Sequence, residues 1–139
     1  MNLERLRRAL VRHEGLKLKT YRCTAGKLSI GVGRNLDDVG ISETEAMVLL
    51  ENDINGVVRD LDRAIPWWAG LDDARREVLA NMAFNLGLPT LLTFRNTLAA
   101  IKDGRYKEAA ALMLQSRWAT QVGHRARELA AQMETGRCI

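Results

Sequence analysis

Residues 14–33 read EGLKLKTYRCTAGKLSIGVG. From Leu16 to Arg22 the chain alternates, with Leu16, Leu18 and Thr20 on one face and Lys17, Lys19 and Tyr21 on the other. That is the period of two expected of a strand. Thr24-Ala25-Gly26 is turn chemistry, and residues 27–32 run extended again, so the segment predicts a β-hairpin. Gly31, Gly33 and residues 34–40 dissolve the pattern into loop. On the N-terminal side the period is helical. Asn2 can cap a helix that keeps Leu3, Leu6, Leu10 and Val11 on one stripe and stops near Gly15.

Beyond the loop the chain reads as helix almost throughout. Ser42 and Glu45 form a capping box for a helix over residues 42–64, with Met47, Leu50, Ile54, Val58 and Leu61 at helical spacing and Pro66 as its stop. A second long helix begins at Asp72 or Asp73, carries Val78, Leu79, Met82 and Leu86, and meets its C-terminal signal at Gly87. Shorter helices are expected near 95–103, 106–115 and 124–134, parted by Gly104 and Gly123 and closed by Gly136. The fold class is α+β: a small N-terminal hairpin lobe and a larger helical lobe, with a ligand cleft expected between them. Neither repeat nor linker interrupts residues 1–139, so one domain is expected.

Composition narrows the function only a little. Of 139 residues, 47% are hydrophobic and 27% charged, the profile of an ordinary folded protein. The net charge of +4 favours anionic partners, whether nucleic acid, an acidic wall or a membrane surface. The N-terminus lacks the apolar run of a signal peptide, and no stretch is apolar enough to span a bilayer, so no stable membrane association is expected. Cys23 and Cys138 form no metal motif, His13 and His124 are isolated, and free thiols are expected. Gly31-Val32-Gly33 opens no phosphate-binding helix. Trp67-Trp68 after Pro66 is read as a helix-end anchor in the core, and the arginines at 5, 7, 8 and 12 as a solvated face.

The chemistry sits at the ends of the quoted segment. Glu14 is a carboxylate at the negative end of a helix dipole, where the ionised form is disfavoured. A glutamic acid that keeps its proton is what glycoside hydrolysis requires, because the departing sugar oxygen must receive one. Taken alone, a single Glu at a helix end is more often a solvated side chain.

The spacing adds to this. Glu14, eight residues, Cys23, five residues, Ser29 and then Ile30-Gly31-Val32-Gly33 resemble the signature of the T-even phage type of lysozyme, glycoside hydrolase family 24. There the pattern is Glu, eight residues, Asp or sometimes Cys, five residues, Thr, and a similar glycine-bearing strand end. Met82-Ala83-Phe84-Asn85-Leu86-Gly87, Phe94-Arg95-Asn96-Thr97-Leu98, and Ser116-Arg117-Trp118 with Arg125 resemble the helical part of the family more loosely. The resemblance implies Glu14 as general acid, Cys23 as second catalytic group and Ser29 as a holder of the attacking water. It further implies Phe84 and Thr97 as substrate contacts, and Arg125 as the cation paired with the catalytic Glu. No cofactor or metal is implied. The implied substrate is bacterial peptidoglycan, cut at the β-1,4 bond between N-acetylmuramic acid and N-acetylglucosamine. The implied biology is a monomeric endolysin, without nucleic-acid partners, made in the host cytoplasm and reaching the wall through a membrane lesion.

Two departures carry consequences. Ser29 in place of Thr keeps the hydroxyl and loses a methyl. Cys23 in place of Asp exchanges a group ionised at pH 7 for a thiol that is ordinarily only a few per cent thiolate there. Arg22, Lys27 or Arg125 would raise that fraction if any of them approached the sulfur. A lytic transglycosylase, which needs the acid but no activated water, is the enzymatic rival. A wall-binding module without catalysis is the rival from another class, and a basic DNA-binding protein would leave the Glu14–Cys23–Ser29 spacing unexplained.

Overall fold

The computed structural model describes residues 1–138, which form two compact units, Met1–Leu49 and a second that begins at Leu50. It is mostly helical with one small antiparallel sheet, the expected α+β class. Among the described residues no helix is long and apolar enough to cross a membrane.

The first unit opens with helix α1 (Leu3–Glu14). The Asn2 side chain accepts the Arg5 N–H at 2.9 Å, and Gly15 ends the helix at φ 79°, a conformation that favours glycine. Strands β1 (Lys17–Arg22) and β2 (Leu28–Gly31) follow as the predicted hairpin. The pairing joins Lys17 to Gly31, then Tyr21 to Ser29 and Arg22 to Leu28, with the register slipping in between. The alternation in β1 yields no buried face: Leu18 is 83% exposed.

A third strand, β3 (Arg34–Asn35), lies where loop was expected. It pairs Ile30 with Arg34 and Ser29 with Asn35, giving the order β1-β2-β3. Two residues cannot display a period, so tertiary hydrogen bonds create this strand. Leu36 N–H donates to Leu28 O at 2.8 Å, and the Asp37 carboxylate accepts the Leu28 N–H at 2.7 Å.

Helix α2 (Glu43–Ala64) begins with the expected capping box. Ser42 Oγ accepts the Glu45 N–H at 3.1 Å, and Glu45 returns the bond to the Ser42 N–H at 2.9 Å. Pro66 opens a short 3-10 turn (Pro66–Gly70), in which Trp68 is buried and donates to Asp62 at 2.7 Å. The core-anchor reading therefore holds for Trp68.

Helices α3 (Asp73–Leu86), α5 (Arg95–Lys102), α6 (Tyr106–Gln115) and α8 (His124–Thr135) match the expected spans. Helices α4 (Leu88–Leu91) and α7 (Arg117–Val122) were not anticipated, being too short to repeat a helical period. Leu61, Val78, Leu79, Met82, Ile101, Met113 and Met133 make a continuous buried core in the second unit. Each large side chain so buried contributes roughly 1.5–3 kcal/mol.

Candidate active site

Three of the predicted residues belong to the first unit, and local structure places each of them. Glu14 is the last residue of α1 and is exposed. Its carboxylate packs on Gly33, where an added Cβ would lie 2.8 Å from Glu14 Oε2. Gly33 also has φ +67°, a conformation that side-chain-bearing residues rarely adopt. This glycine has two independent reasons to be glycine, and one of them is the position of the Glu14 side chain.

Cys23 begins the hairpin turn. Its N–H donates to Lys27 O at 2.9 Å, and Gly26 N–H closes the turn on Cys23 O at 2.8 Å. The backbone N–H of Lys27, then that of Ala25, hold the thiol below its usual range, against partial desolvation. The Ser29 hydroxyl adds to the effect. Ser29 is 2% exposed, and its hydroxyl also reaches Lys27 O at 3.2 Å. With one proton and two acceptors in reach, ionised sulfur is the stronger acceptor.

Two of the three cations expected to act on Cys23, Arg22 and Lys27, are occupied elsewhere in this unit. Arg22 donates to Gly26 O at 3.2 Å and approaches Asp37 at 3.7 Å, while Lys27 Nζ pairs with Asp38 at 3.2 Å. The sulfur is tuned by amide dipoles of the turn rather than by side-chain charge, and no reading of residue types alone could reveal that. Asp37, which holds both Leu28 N–H and the neighbourhood of Arg22, was missed for the same reason.

The other three predicted residues belong to the second unit and fall into two places. Phe84, on α3 and 45% exposed, shares a depression of about 430 Å³ with Arg125 of α8, among Leu50, Ile54, Glu77 and Asn81. Thr97 of α5 is buried and lines a different depression of about 760 Å³, with Phe94, Asn96, Arg117, Trp118 and Gln121. There Trp118 donates to Asn85 at 2.8 Å and meets Phe94 edge to face, ring centres 6.4 Å apart. Phe84 and Thr97 therefore line different depressions.

Arg125 donates from Nε and Nη2 to Asn81 Oδ1 at 2.9 and 2.7 Å. Asn81 was overlooked, although it stands one helical turn before Phe84. The available signal was an Asn inside a helix, where its short amide ordinarily competes with the backbone. Both cysteines are free thiols, and Cys138 donates to Glu77 at 3.2 Å, which pushes its thiol up.

The model of the family described as phage lysozyme matches residues 11–134. The chain is 27% identical to "Probable T4-type lysozyme 1" of Dictyostelium discoideum, over 88% of this chain and 89% of that protein. It is 33% identical to an "Endolysin" of Acyrthosiphon pisum secondary endosymbiont phage 1, covering 72% and 68% of the two chains. A "SAR-endolysin" of Escherichia phage Mu is 29% identical, over 98% of this chain and 78% of its own length.

Proposed function

Since the chain belongs to the phage lysozyme family, whose members are wall-lytic hydrolases, we propose that it is a muramidase cutting the β-1,4 bond between N-acetylmuramic acid and N-acetylglucosamine. The observation that carries this reading is the arrangement within Met1–Leu49. There a carboxylate sits on Gly33 at the end of α1, and Cys23 begins the hairpin turn with its thiol held low, while the Ser29 hydroxyl donates to Lys27 O across the same turn.

Glu14 donates its proton to the glycosidic oxygen as the bond to the anomeric carbon breaks. The thiolate of Cys23 takes up the other half of the reaction. Either it accepts a proton from the water that attacks the anomeric carbon, or its sulfur bonds that carbon and water later displaces it. Ser29 orients the water through its hydroxyl. Phe84 and Thr97 contact the sugar chain, and Arg125 supplies a supporting positive charge. Residues 1–139 act as one lysozyme domain, a monomeric endolysin made in the host cytoplasm that reaches the wall through a membrane lesion.

Digestion of purified peptidoglycan, with products identified by mass spectrometry, tests the reading. Reducing-end muropeptides from the parent and none from Glu14→Gln are expected. The Cys at the usual Asp position favours one second reading, a lytic transglycosylase, which would release anhydro-sugar ends instead. Absence of any product would leave a wall-binding module.

A further inference from the structure

Arg125 stands in the first turn of α8, a helix whose N-terminus has no side-chain cap. A cation is disfavoured there, because that end of a helix already carries partial positive charge. The guanidinium is nevertheless held in one orientation. Asn81 Oδ1 accepts from both Nε and Nη2, and Nη2 approaches Asn81 O at 3.4 Å. Asn81 itself is exposed, so the amide contributes to no core.

What holds Arg125 is a neutral acceptor. Among the described residues of this unit, the ion pairs involve other cations, such as Arg75 with Asp72 and Arg105 with Asp103. A carboxylate at position 81 would grip the fork more strongly and cancel its charge. An amide orients the same fork and leaves the charge intact. It also engages one edge of the guanidinium, so the two N–H groups of Nη1 are not used by Asn81. Asn81 lies three residues before Phe84, on the same stretch of α3 facing the same depression.

We infer that Asn81 is a positioning residue, which presents a fully charged Arg125 to the reaction by holding it through a neutral oxygen. The inference rests on the muramidase reading for its kinetic consequence, but the hold on Arg125 can be read without catalysis. In the ¹⁵N spectrum of the whole protein, the Arg125 Nε–H resonance exchanges slowly with solvent in the parent and rapidly in Asn81→Ala. Rates of reducing-end release are then compared for Asn81→Ala, Asn81→Asp, Arg125→Ala and the double variant Asn81→Ala/Arg125→Ala. Asn81→Ala lowers kcat about tenfold with little change in KM, the size expected of a misplaced supporting group. The double variant is no slower than Arg125→Ala alone, because the two side chains act as one unit. Asn81→Asp keeps the parent melting temperature and the slow Nε–H exchange, yet loses activity like Asn81→Ala.

Unchanged Nε–H exchange in Asn81→Ala would overturn the inference whether or not the protein cuts the wall. So would a kcat loss that persists undiminished in the Arg125→Ala background, or parent activity in Asn81→Asp. Parent activity in Arg125→Ala, with Glu14→Gln inactive, would also overturn it while leaving the muramidase reading in place. A parent that releases no product would instead sink that reading, and the exchange measurement would still decide the hold on Arg125.

Discussion

Between Met1 and Leu49 a single residue, Ser29, is buried, whereas every buried hydrophobic side chain of the described residues lies beyond Leu49. The two regions are stabilised by different means. The second packs Leu79, Met82, Ile101, Met113 and Met133 out of water, so its geometry follows from burial. The first is organised by caps, a hairpin turn, backbone pairing and short-range ion pairs such as Arg34 with Glu45 at 2.9 Å. Glu14 and Cys23 belong to the region without a core of its own. Their placement therefore depends on directional bonds, which specify position closely and contribute little net stability. Substitutions should separate along this line, with activity sensitive in the first region and stability in the second.

The largest effect is expected at Glu14. Glu14→Gln removes the proton donor and should lower reducing-end release by about a thousandfold, with an unchanged melting temperature. A comparable loss of melting temperature would break the separation of roles.

Next comes the core. Leu79→Ala, fully buried on α3, should destabilise the protein by about 2–5 kcal/mol in denaturant titration. Its activity per folded molecule should stay near that of the parent.

Gly33→Ala sharpens the comparison further. The methyl would meet the end of the Glu14 side chain, which can swing aside, so the cost falls on the acid's position more than on folding. A loss of about tenfold or more in kcat is expected, with about 1 kcal/mol of backbone strain. Equal activity in Gly33→Ala would mean that the contact does not position the acid.

Cys23 gives the pH test. Its thiol is held low chiefly by the Lys27 amide, so the thiolate persists below the usual thiol range and is lost as pH falls through the lowered value. The parent should lose activity on thiol alkylation and on acidification. Cys23→Asp should resist alkylation and keep its activity to lower pH, because a carboxylate ionises near pH 4. Full activity in Cys23→Ala would remove the residue from the mechanism.

The smallest effect lies at the start of α2. Ser42→Ala should cost about 1 kcal/mol through the lost cap. Glu45 is lowered to about 2, first by the Arg34 hydrogen bond and then by Ser42. Its contribution is therefore present above the ordinary carboxylate range and fades as pH falls toward 2. Acid titration of Glu45→Gln should lack that component.

Much of this was legible in residue order. Asn2, Gly15, the Ser42–Glu45 box, Asp72 and Gly136 mark helix ends because caps use neighbours within a few positions. The hairpin and the long helices follow from periods of two and 3.6 that run over several residues. The Glu14–Cys23–Ser29 spacing was legible for a related reason, since one helix end and one hairpin carry all three.

What residue order alone determined is the set of local elements and the Glu14–Cys23–Ser29 spacing on one helix end and one hairpin, because those depend on short stretches of chain. Tertiary structure decided the rest. It paired Arg34 and Asn35 with β2 to make β3, turned the Leu28 N–H to Asp37, and gave Arg22 and Lys27 to Asp37 and Asp38. It also set Asn81 against Arg125, 44 residues away. Hydrogen bonds and desolvation act through space, and partners distant along the chain leave no period or spacing by which sequence could announce them.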